Sequence, residues 1–404
     1  MKKSLTDKFY HRSLIIMIKN DAFNNSKIKV PFFVPDISSD DKDVVSKTMS
    51  QPLLTDGPKL REFEKLFAKF TGAKYAIGVT NATSALHLTL RSLGLGKGDE
   101  VIIPDETFVA TANAILLTGA TPVLADIEDD GYNISLNSIK KNFTSRTKAI
   151  LPVHIAGKSC DITKIRKFAN SKKILLIEDC AHAIGCKIDQ KHVGTFGIAG
   201  CFSFYPTKNI TTIEGGMVIT NSKRLANEII TSRNHGLTRT LSQRFTKGKP
   251  WDYDVITPGY NYRMDEIRAA LGINQLKRIR KLNSLRKKAC MYYNSNLKNI
   301  PGIKVPTLSK LNDDVNHLYM IRIEKTYGIS RDELFVKLQK LGIRTSLHYK
   351  PLHEFTAYKK LTKHHDPLKN CKQLFKEILS LPLYPSISKK EQDYVIRCIS
   401  DKNI

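Results

Sequence analysis

Short apolar runs alternate along this chain with longer amphipathic stretches, and this alternation restricts the fold more than any other feature. Nearly continuous apolar runs of five or six residues are typical of strands buried on both faces of a parallel sheet. Seven such runs occupy residues 75–80, 100–104, 121–126, 149–153, 174–179, 200–204 and 216–220. Stretches with helical spacing, such as 84–93 and 162–168, lie between most of them. The pattern predicts an α/β domain with a seven-stranded, mainly parallel sheet flanked by helices.

The pattern changes after residue 274. A basic, helix-like stretch covers 275–297, followed by one strand at 319–323 and an amphipathic stretch at 331–341. Turns are predicted at Pro301-Gly302 and at 312–314. We therefore expect a large domain at 30–273 and a smaller α+β domain at 274–404. Residues 1–29 are predicted to be an N-terminal appendage, and Met17 is an alternative start.

The charge is strongly positive, with 65 Lys and Arg against 38 Asp and Glu, a net +27. Nucleic acid, a membrane surface or a small acidic ligand could each attract such a chain. Over half of the surplus lies in residues 271–404, but the basic stretch at 275–288 carries no aromatic residue. Nucleic-acid binding would need a helix-turn-helix motif, or a stripe of aromatic and basic residues on a defined element. We interpret the stretch as a solvated helix face.

The seven cysteines form no C-x-x-C pair. This predicts reduced thiols in a cytoplasmic protein, with neither a disulfide framework nor a zinc site. No segment reaches the roughly 18 apolar residues of a membrane span, so membrane insertion is not expected.

Two residues after strand ends point to chemistry. Lys208 lies in FSFYPTKN, where aromatic neighbours could desolvate its amine, lower its pKa and let it form a Schiff base. An ordinary surface lysine is the common alternative. Asp179 closes the run ILLIED and should project from the carboxyl edge of the sheet. A pyridinium nitrogen would match a buried carboxylate there, although a helix N-cap is an equal alternative.

The segment TNATSALHL, at 80–88, joins the first strand to a helix. Free amides at a helix start form an anion site suited to a phosphate, although most such turns are only caps. The chain has no G-x-G-x-x-G or P-loop motif, which disfavours a Rossmann cofactor or a P-loop nucleotide.

These elements occur in order with ETFVATANA, PVHIAG, EDCAHAIG, EGGMVITN, RNHG and PGYNYRMDEIRAALG. From about residue 34 to its end the chain thereby resembles the DegT-type family of nucleotide-sugar aminotransferases. These are enzymes of fold type I that use pyridoxal 5′-phosphate (PLP).

The resemblance implies a cofactor site. Lys208 would bind PLP as a Schiff base and shuttle a proton, and Asp179 would hold the pyridine nitrogen protonated. His182 would lie beside the 3-hydroxyl, and Phe108 would stack on the ring. The phosphate would be held by Thr83 and Ser203, together with the backbone amides of Ala82 and Thr83.

Other positions follow from the same resemblance. Asn261 would reach the phosphate of the neighbouring subunit's cofactor, which implies a homodimer with shared active sites. Arg263 would meet the carboxylate of the amino donor, and His348 and His353 would border the sugar. A purely structural role remains equally open for these last three residues and for His154.

The activity implied is transfer of an amino group from L-glutamate to C4 of a UDP-linked 4-keto-6-deoxyhexose or 4-ketopentose, for cell-surface glycans such as lipopolysaccharide or O antigen. Lysine at position 208 favours transamination, because a branch of the family with histidine there performs dehydration. The alternatives are a C3 aminotransferase or a dehydratase acting on a dTDP- or GDP-sugar. A regulatory or nucleic-acid-binding protein with the same fold is a further alternative.

Overall fold

A computed structural model describes residues 28–239, 249–307 and 313–401, together with Gln243. Residues 1–27 of the predicted appendage and Asn312 of the predicted turn lie outside the described residues. No helix within the described part is long and apolar enough to cross a membrane.

The large sheet has seven strands: β1 Tyr75–Val79, β2 Glu100–Pro104, β3 Thr121–Ala125, β4 Thr147–Ile150, β5 Leu175–Asp179, β8 Ala199–Ser203 and β9 Gly216–Thr220. Their order across the sheet is β1-β9-β8-β5-β4-β2-β3. Only β9 runs antiparallel to its neighbours, which confirms the predicted mainly parallel sheet. The predicted run at 149–153 is a strand that begins two residues earlier and stops before Pro152, which has no N–H for the ladder. Between β5 and β8 in the chain order, β6 Lys187–Ile188 and β7 Lys191–His192 form a separate small ribbon.

Helices cover both faces of this sheet. Alternate strand residues such as Ile77 and Val101 pack against one helix layer. This layer consists of α3 Ala82–Ser92, α4 Val109–Leu116 and α7 Lys223–Ser232. The intervening residues, such as Ile102 and Met217, pack on the opposite layer. The helices are α1 Ser39–Met49, α2 Pro58–Thr71, α3 Ala82–Ser92, α4 Val109–Leu116, α5 Leu136–Asn142, α6 Ile162–Ser171 and α7 Lys223–Ser232. Burial on both faces explains the nearly continuous apolar strands.

A 32-residue helix, α8 Glu266–Leu297, joins the two parts of the chain. It starts earlier than the predicted 275–297, because Asp265 caps its first turn by accepting the Arg268 N–H at 2.8 Å. Its first half packs in the large core, and its second half packs on the small sheet. The predicted boundary at 273/274 lies within this helix. Its basic side chains are largely solvated, and the exposed ones are Lys277, Arg280, Lys281, Lys287 and Lys288.

The C-terminal part has a three-stranded antiparallel sheet in the order β10-β11-β12, covered by helices. Its strands are β10 Ile303–Lys304, β11 Tyr319–Ile323 and β12 Ile378–Leu381, and its helices are α9 Arg331–Lys340, α10 Tyr358–Leu361, α11 Lys369–Glu377 and α12 Lys389–Ser400. The strand predicted at 319–323 and the helix predicted at 331–341 are both confirmed.

Glu266 ties the start of α8 to the start of α2. Helix α2 begins at Pro58, and its N-cap residue, Gly57, has no side chain to cap it. The buried Glu266 carboxylate accepts the backbone N–H groups of Gly57, Lys59 and Leu60 at 2.9, 2.7 and 3.1 Å. A residue 206 positions away thus supplies the missing cap.

We expect Glu266→Ala to lower the free energy of unfolding by about 3 kcal/mol, because three largely buried donors lose their acceptor. Equilibrium urea unfolding measures the change. Glu62→Ala is the matched control: Glu62 forms an exposed pair with Lys59 at 2.9 Å, and its loss should cost about 1 kcal/mol or less. Equal losses for the two variants would contradict this role of Glu266.

Candidate active site at the carboxyl edge of the sheet

Two neighbouring parallel strands, β5 and β8, end at the same edge of the large sheet. Asp179 is the last residue of β5 and pairs in register with Cys201 of β8. Strand β8 ends at Ser203, and the loop that follows carries Lys208. Sequence and topology therefore bring Asp179, Ser203 and Lys208 to one edge, where ligands of open α/β sheets bind.

Asp179 is buried, with 4 % of its surface exposed. Its Oδ2 accepts the Thr111 hydroxyl at 3.0 Å, and its Oδ1 accepts the Ala181 N–H at 3.0 Å. Burial raises the pKa of Asp179, while these hydrogen bonds and the charge of Lys208 act against that rise. The segment after Asp179 forms turns and not a helix, so the N-cap alternative does not apply.

Lys208 follows a tight turn in which its N–H donates to the Tyr205 carbonyl at 2.9 Å. The residue is half-buried. Burial lowers the pKa of its amine to about 8, and the negative charge of Asp179 opposes part of that fall. An amine with such a pKa exists in both protonation states near neutral pH, which an ordinary surface lysine does not do.

The start of α3 forms an anion cradle against the first residue of β9, Gly216. Asn81 caps this helix by accepting the Ser84 N–H at 2.8 Å, and the helix geometry leaves the amides of Ala82 and Thr83 directed outward. Gly216 makes the approach possible, because a Cβ there would lie 2.4 Å from the Asn81 carbonyl carbon. Gly216 pairs with Ser203, so Ser203 lies at the same edge of the sheet.

His182 is buried among aromatic side chains. Its Nδ1 accepts the Ala156 N–H at 3.3 Å, and its Nε2 is 3.0 Å from the Tyr349 hydroxyl. Its ring centroid lies 4.4 Å from that of His317. Burial and the charge of Lys208 hold the pKa of His182 well below its usual range, so this imidazole is neutral.

Phe108 occupies the N-cap position of α4 with 56 % of its surface exposed. Its ring lies 5.8 Å from that of Tyr349. A large aromatic ring presented to solvent at this edge is available for stacking on a planar ligand.

The residues expected to contact the substrate, His348, His353 and Arg263, have different surroundings in the structure. His348 is close enough to Lys208 for that charge to lower its pKa, which burial and Lys208 together bring to about 3. His353 donates from Nδ1 to Asp105 Oδ2 at 2.6 Å, a contact between the two parts of the chain. Arg263 donates to Asn234 Oδ1 at 2.7 Å, whereas Asn261 is exposed.

Several residues near this edge were not identified from the sequence. Thr111 lies one helical turn after Thr107 within the motif ETFVATANA, and that spacing was an available signal. Tyr349 follows the predicted His348 directly. His317 and Glu106 gave no local signal, because their neighbours come from distant parts of the chain.

His154, Glu178 and Cys180 place possible metal-ligand atoms within 4.8 Å of one another. Glu178 already accepts the N–H groups of Gly194, Phe196 and Gly197 at 2.7–2.8 Å. His154 Nε2 lies 3.1 Å from Glu178, and its Nδ1 accepts the Cys160 N–H. These bonds give the group a structural role, which holds the turn before β8.

The residues at this edge fit PLP on three independent grounds. An amine with a lowered pKa is suited to a Schiff base. A buried carboxylate with a raised pKa is suited to a cationic ring nitrogen. A helix start approached by a glycine is suited to a phosphate monoester.

Comparisons with known proteins agree with this arrangement. The chain is 38 % identical over 375 residues to the spore coat polysaccharide biosynthesis protein SpsC of Bacillus subtilis, across 92 % of this chain and 96 % of SpsC. The sugar aminotransferase Spr1654 of Streptococcus pneumoniae, solved in its PMP form, superimposes with a TM-score of 0.86 at 31 % identity, covering 92 % of this chain and 98 % of that one. PseC of Helicobacter pylori, an aminotransferase of pseudaminic acid biosynthesis, superimposes with a TM-score of 0.84 at 32 % identity and the same coverage.

The model of the DegT/DnrJ/EryC1/StrS aminotransferase family matches residues 35–400. The matched segment contains both strand ends, the helix start at Ala82 and the C-terminal sheet. The chain therefore belongs to the DegT/DnrJ/EryC1/StrS aminotransferase family and is a PLP-dependent sugar aminotransferase.

Proposed function

We propose that the enzyme transfers the amino group of L-glutamate to C4 of a UDP-linked 4-keto-6-deoxyhexose or 4-ketopentose, in the cytoplasm, for a cell-surface glycan. The arrangement of Lys208 and Asp179 at adjacent strand ends carries the transamination part of this proposal. Its substrate class is supported by the similarity to a spore coat polysaccharide protein and to a pseudaminic acid enzyme. The seven buried, free cysteines support a reducing compartment.

PLP, when bound, supplies an electron sink and carries the amino group between donor and acceptor. The chain's own residues bind it and move protons. In this proposal the Ala82 and Thr83 amides and the Ser203 hydroxyl bind the phosphate, and the exposed face of Phe108 packs on the ring. Asp179 holds a proton on the ring nitrogen. The positive charge of the protonated ring would in turn favour the ionised form of the Asp179 carboxyl group.

Lys208 moves the proton. A group with a pKa of about 8 accepts and donates a proton with little driving force either way near neutral pH, which is what an acid that must later act as a base requires. Burial produces that pKa, and Asp179 prevents a larger fall. His182 is neutral and accepts or donates hydrogen bonds without adding charge to the site.

The same proposal includes a homodimer whose subunits share active sites. Asn261 is exposed on the single chain, and so are several large apolar side chains: Tyr205, Ile213, Trp251, Val255 and Ile256. Two of these, Tyr205 and Ile213, flank the Lys208 loop. A second copy of the chain would cover this apolar surface and bring its own Asn261 toward the phosphate cradle.

The substrate is tested by product analysis with UDP-, dTDP- and GDP-linked ketosugars and L-glutamate. We expect an amino sugar carrying nitrogen at C4 from a UDP-linked 4-ketosugar. Lys208→Ala should abolish turnover and the absorbance of the covalent lysine–PLP link, because that link can no longer form. Amination at C3, loss of water without amination, or a preference for dTDP- or GDP-sugars would overturn the substrate assignment. Turnover by Lys208→Ala would overturn the mechanism.

The titration of Lys208 is tested on the enzyme without PLP, by labelling with acetic anhydride and mass spectrometry of the peptides. Only a neutral amine reacts, so labelling of Lys208 should rise with pH through a midpoint near 8. Lys164 is the control, because Asp161 raises its pKa above the ordinary 10.5. Asp179→Asn should shift the Lys208 midpoint lower still. Joint titration of Lys208 and Lys164 would contradict the buried amine.

The shared site is tested by mixing Lys208→Ala and Asn261→Ala subunits. Each heterodimer would contain one intact site, so random pairing should restore about a quarter of the wild-type activity. Mixing Lys208→Ala with the double variant is the control, since no pairing then restores a site. Activity equal to the mean of the two parents would show that each site lies within one subunit.

A further inference from the structure

Two adjacent acids, Asp105 and Glu106, follow β2 and are fully buried. Together they hold one segment of the C-terminal part, Tyr349–His353. The Tyr349 N–H donates to Glu106 Oε1. The Leu352 N–H donates to the Asp105 carbonyl, and the His353 N–H donates to Asp105 Oδ1, each at 3.0 Å.

The two acids differ in how fully they are paired. Both carboxylate oxygens of Asp105 contact His353, at its backbone and at its ring. Glu106 uses one oxygen for Tyr349, and its Oε2 is buried with no hydrogen-bond partner in the part of the chain that the structure describes. Burial raises the pKa of Glu106 to about 8, and the neighbouring Asp105 adds to that rise. The Glu106 carboxyl group is therefore largely neutral at pH 7. In this form it accepts the Tyr349 N–H without carrying a charge.

Tyr349 connects this carboxyl group to the cofactor site. Its hydroxyl is 3.0 Å from His182 Nε2, and its ring lies 5.8 Å from that of Phe108. The hydrogen bond at Nδ1 of His182 determines which group donates in the bond between His182 Nε2 and the Tyr349 hydroxyl. Since the Ala156 N–H donates to Nδ1 and the ring is neutral, the single ring proton is on Nε2 and is donated to the Tyr349 oxygen.

The hydroxyl proton of Tyr349 is then free of His182. Burial and two nearby carboxyl groups, those of Asp179 and Glu106, raise the pKa of Tyr349, so the phenol stays protonated. It can donate to an acceptor that enters between Phe108 and His182. The position of this donor depends on where the Tyr349 backbone is held, and Glu106 holds it.

We propose that Glu106 is a positioning residue: by accepting the Tyr349 N–H it places the Tyr349 hydroxyl against His182, at the position where the cofactor's edge and the substrate meet. The inference rests on the proposed transamination at Lys208. It assigns to a buried acid outside the reacting groups the task of fixing one hydrogen-bond donor of the site.

The test compares Glu106→Met, Glu106→Gln and Tyr349→Phe in the PLP-bound enzyme. The first readout is the ratio of the two absorbance bands of bound PLP at one fixed pH, without substrate. Glu106→Met removes the acceptor and should change this ratio and lower kcat about tenfold to a hundredfold, with a much smaller change in KM. Glu106→Gln keeps an acceptor oxygen of the same reach and should stay within about twofold of the wild type.

The route through Tyr349 is tested by the double variant. If Glu106 acts by placing the hydroxyl, Glu106→Met adds little once Tyr349→Phe has removed it. Multiplying effects, or a Glu106→Met band ratio equal to that of the wild type, would overturn the proposal. If Glu106→Met does not fold, Tyr349→Phe still decides, because it keeps the backbone contact and loses only the hydroxyl; an unchanged band ratio would overturn the proposal.

The wild-type enzyme separates this proposal from the function on which it rests. If the wild type neither binds PLP nor transaminates a ketosugar, the proposed function fails. If it does both and the variants at positions 106 and 349 match it, only the role of Glu106 fails.

Discussion

The carboxyl group of Asp179 is withdrawn from water at the end of β5, and a buried carboxylate must be matched by donors or by a cation. Thr111 and Ala181 supply two donors, and the Lys208 amine supplies the charge. Its neighbour Glu178 points to the other face of the strand and gathers the backbone of residues 194–197. Glu178 thus fixes the turn that leads into β8. Asp179 lies in the proposed site, and the loop after β8 brings Lys208 to the same edge of the sheet.

The same arrangement recurs at the end of β2. Asp105 and Glu106 are consecutive and buried, and they hold the segment Tyr349–His353, which lies beside His182 in the proposed site. The long helix α8 joins the two parts of the chain, and Glu266 at its start caps α2. Buried carboxyl groups therefore help to assemble the proposed active site, in addition to apolar packing. Asp105, Glu106 and Glu266 accept backbone N–H groups from distant segments, whereas Asp179 accepts a nearby backbone N–H and a side-chain hydroxyl.

The sequence predicted the large sheet well, because burial on both faces leaves apolar runs that need no long-range information. It also predicted Lys208 and Asp179 as site candidates, since residues at the ends of parallel strands must meet at one edge. Glu106, Tyr349 and His317 could not be identified in the same way. Their roles depend on contacts across 100 or more positions, and a lone Glu or His gives no sign of what will lie against it. The start of α8 was also not predicted, because the helix was inferred from its basic stretch, and the Asp265 cap precedes that stretch.

We propose that the Lys208 amine, beside Asp179, is the group that binds PLP. Borohydride reduction of the PLP-loaded enzyme followed by peptide mass spectrometry tests it most directly, because reduction makes the link between lysine and cofactor permanent. We predict one phosphopyridoxyl group per chain, on the peptide that contains Lys208. A label spread over other lysines, or none at Lys208, would contradict the account.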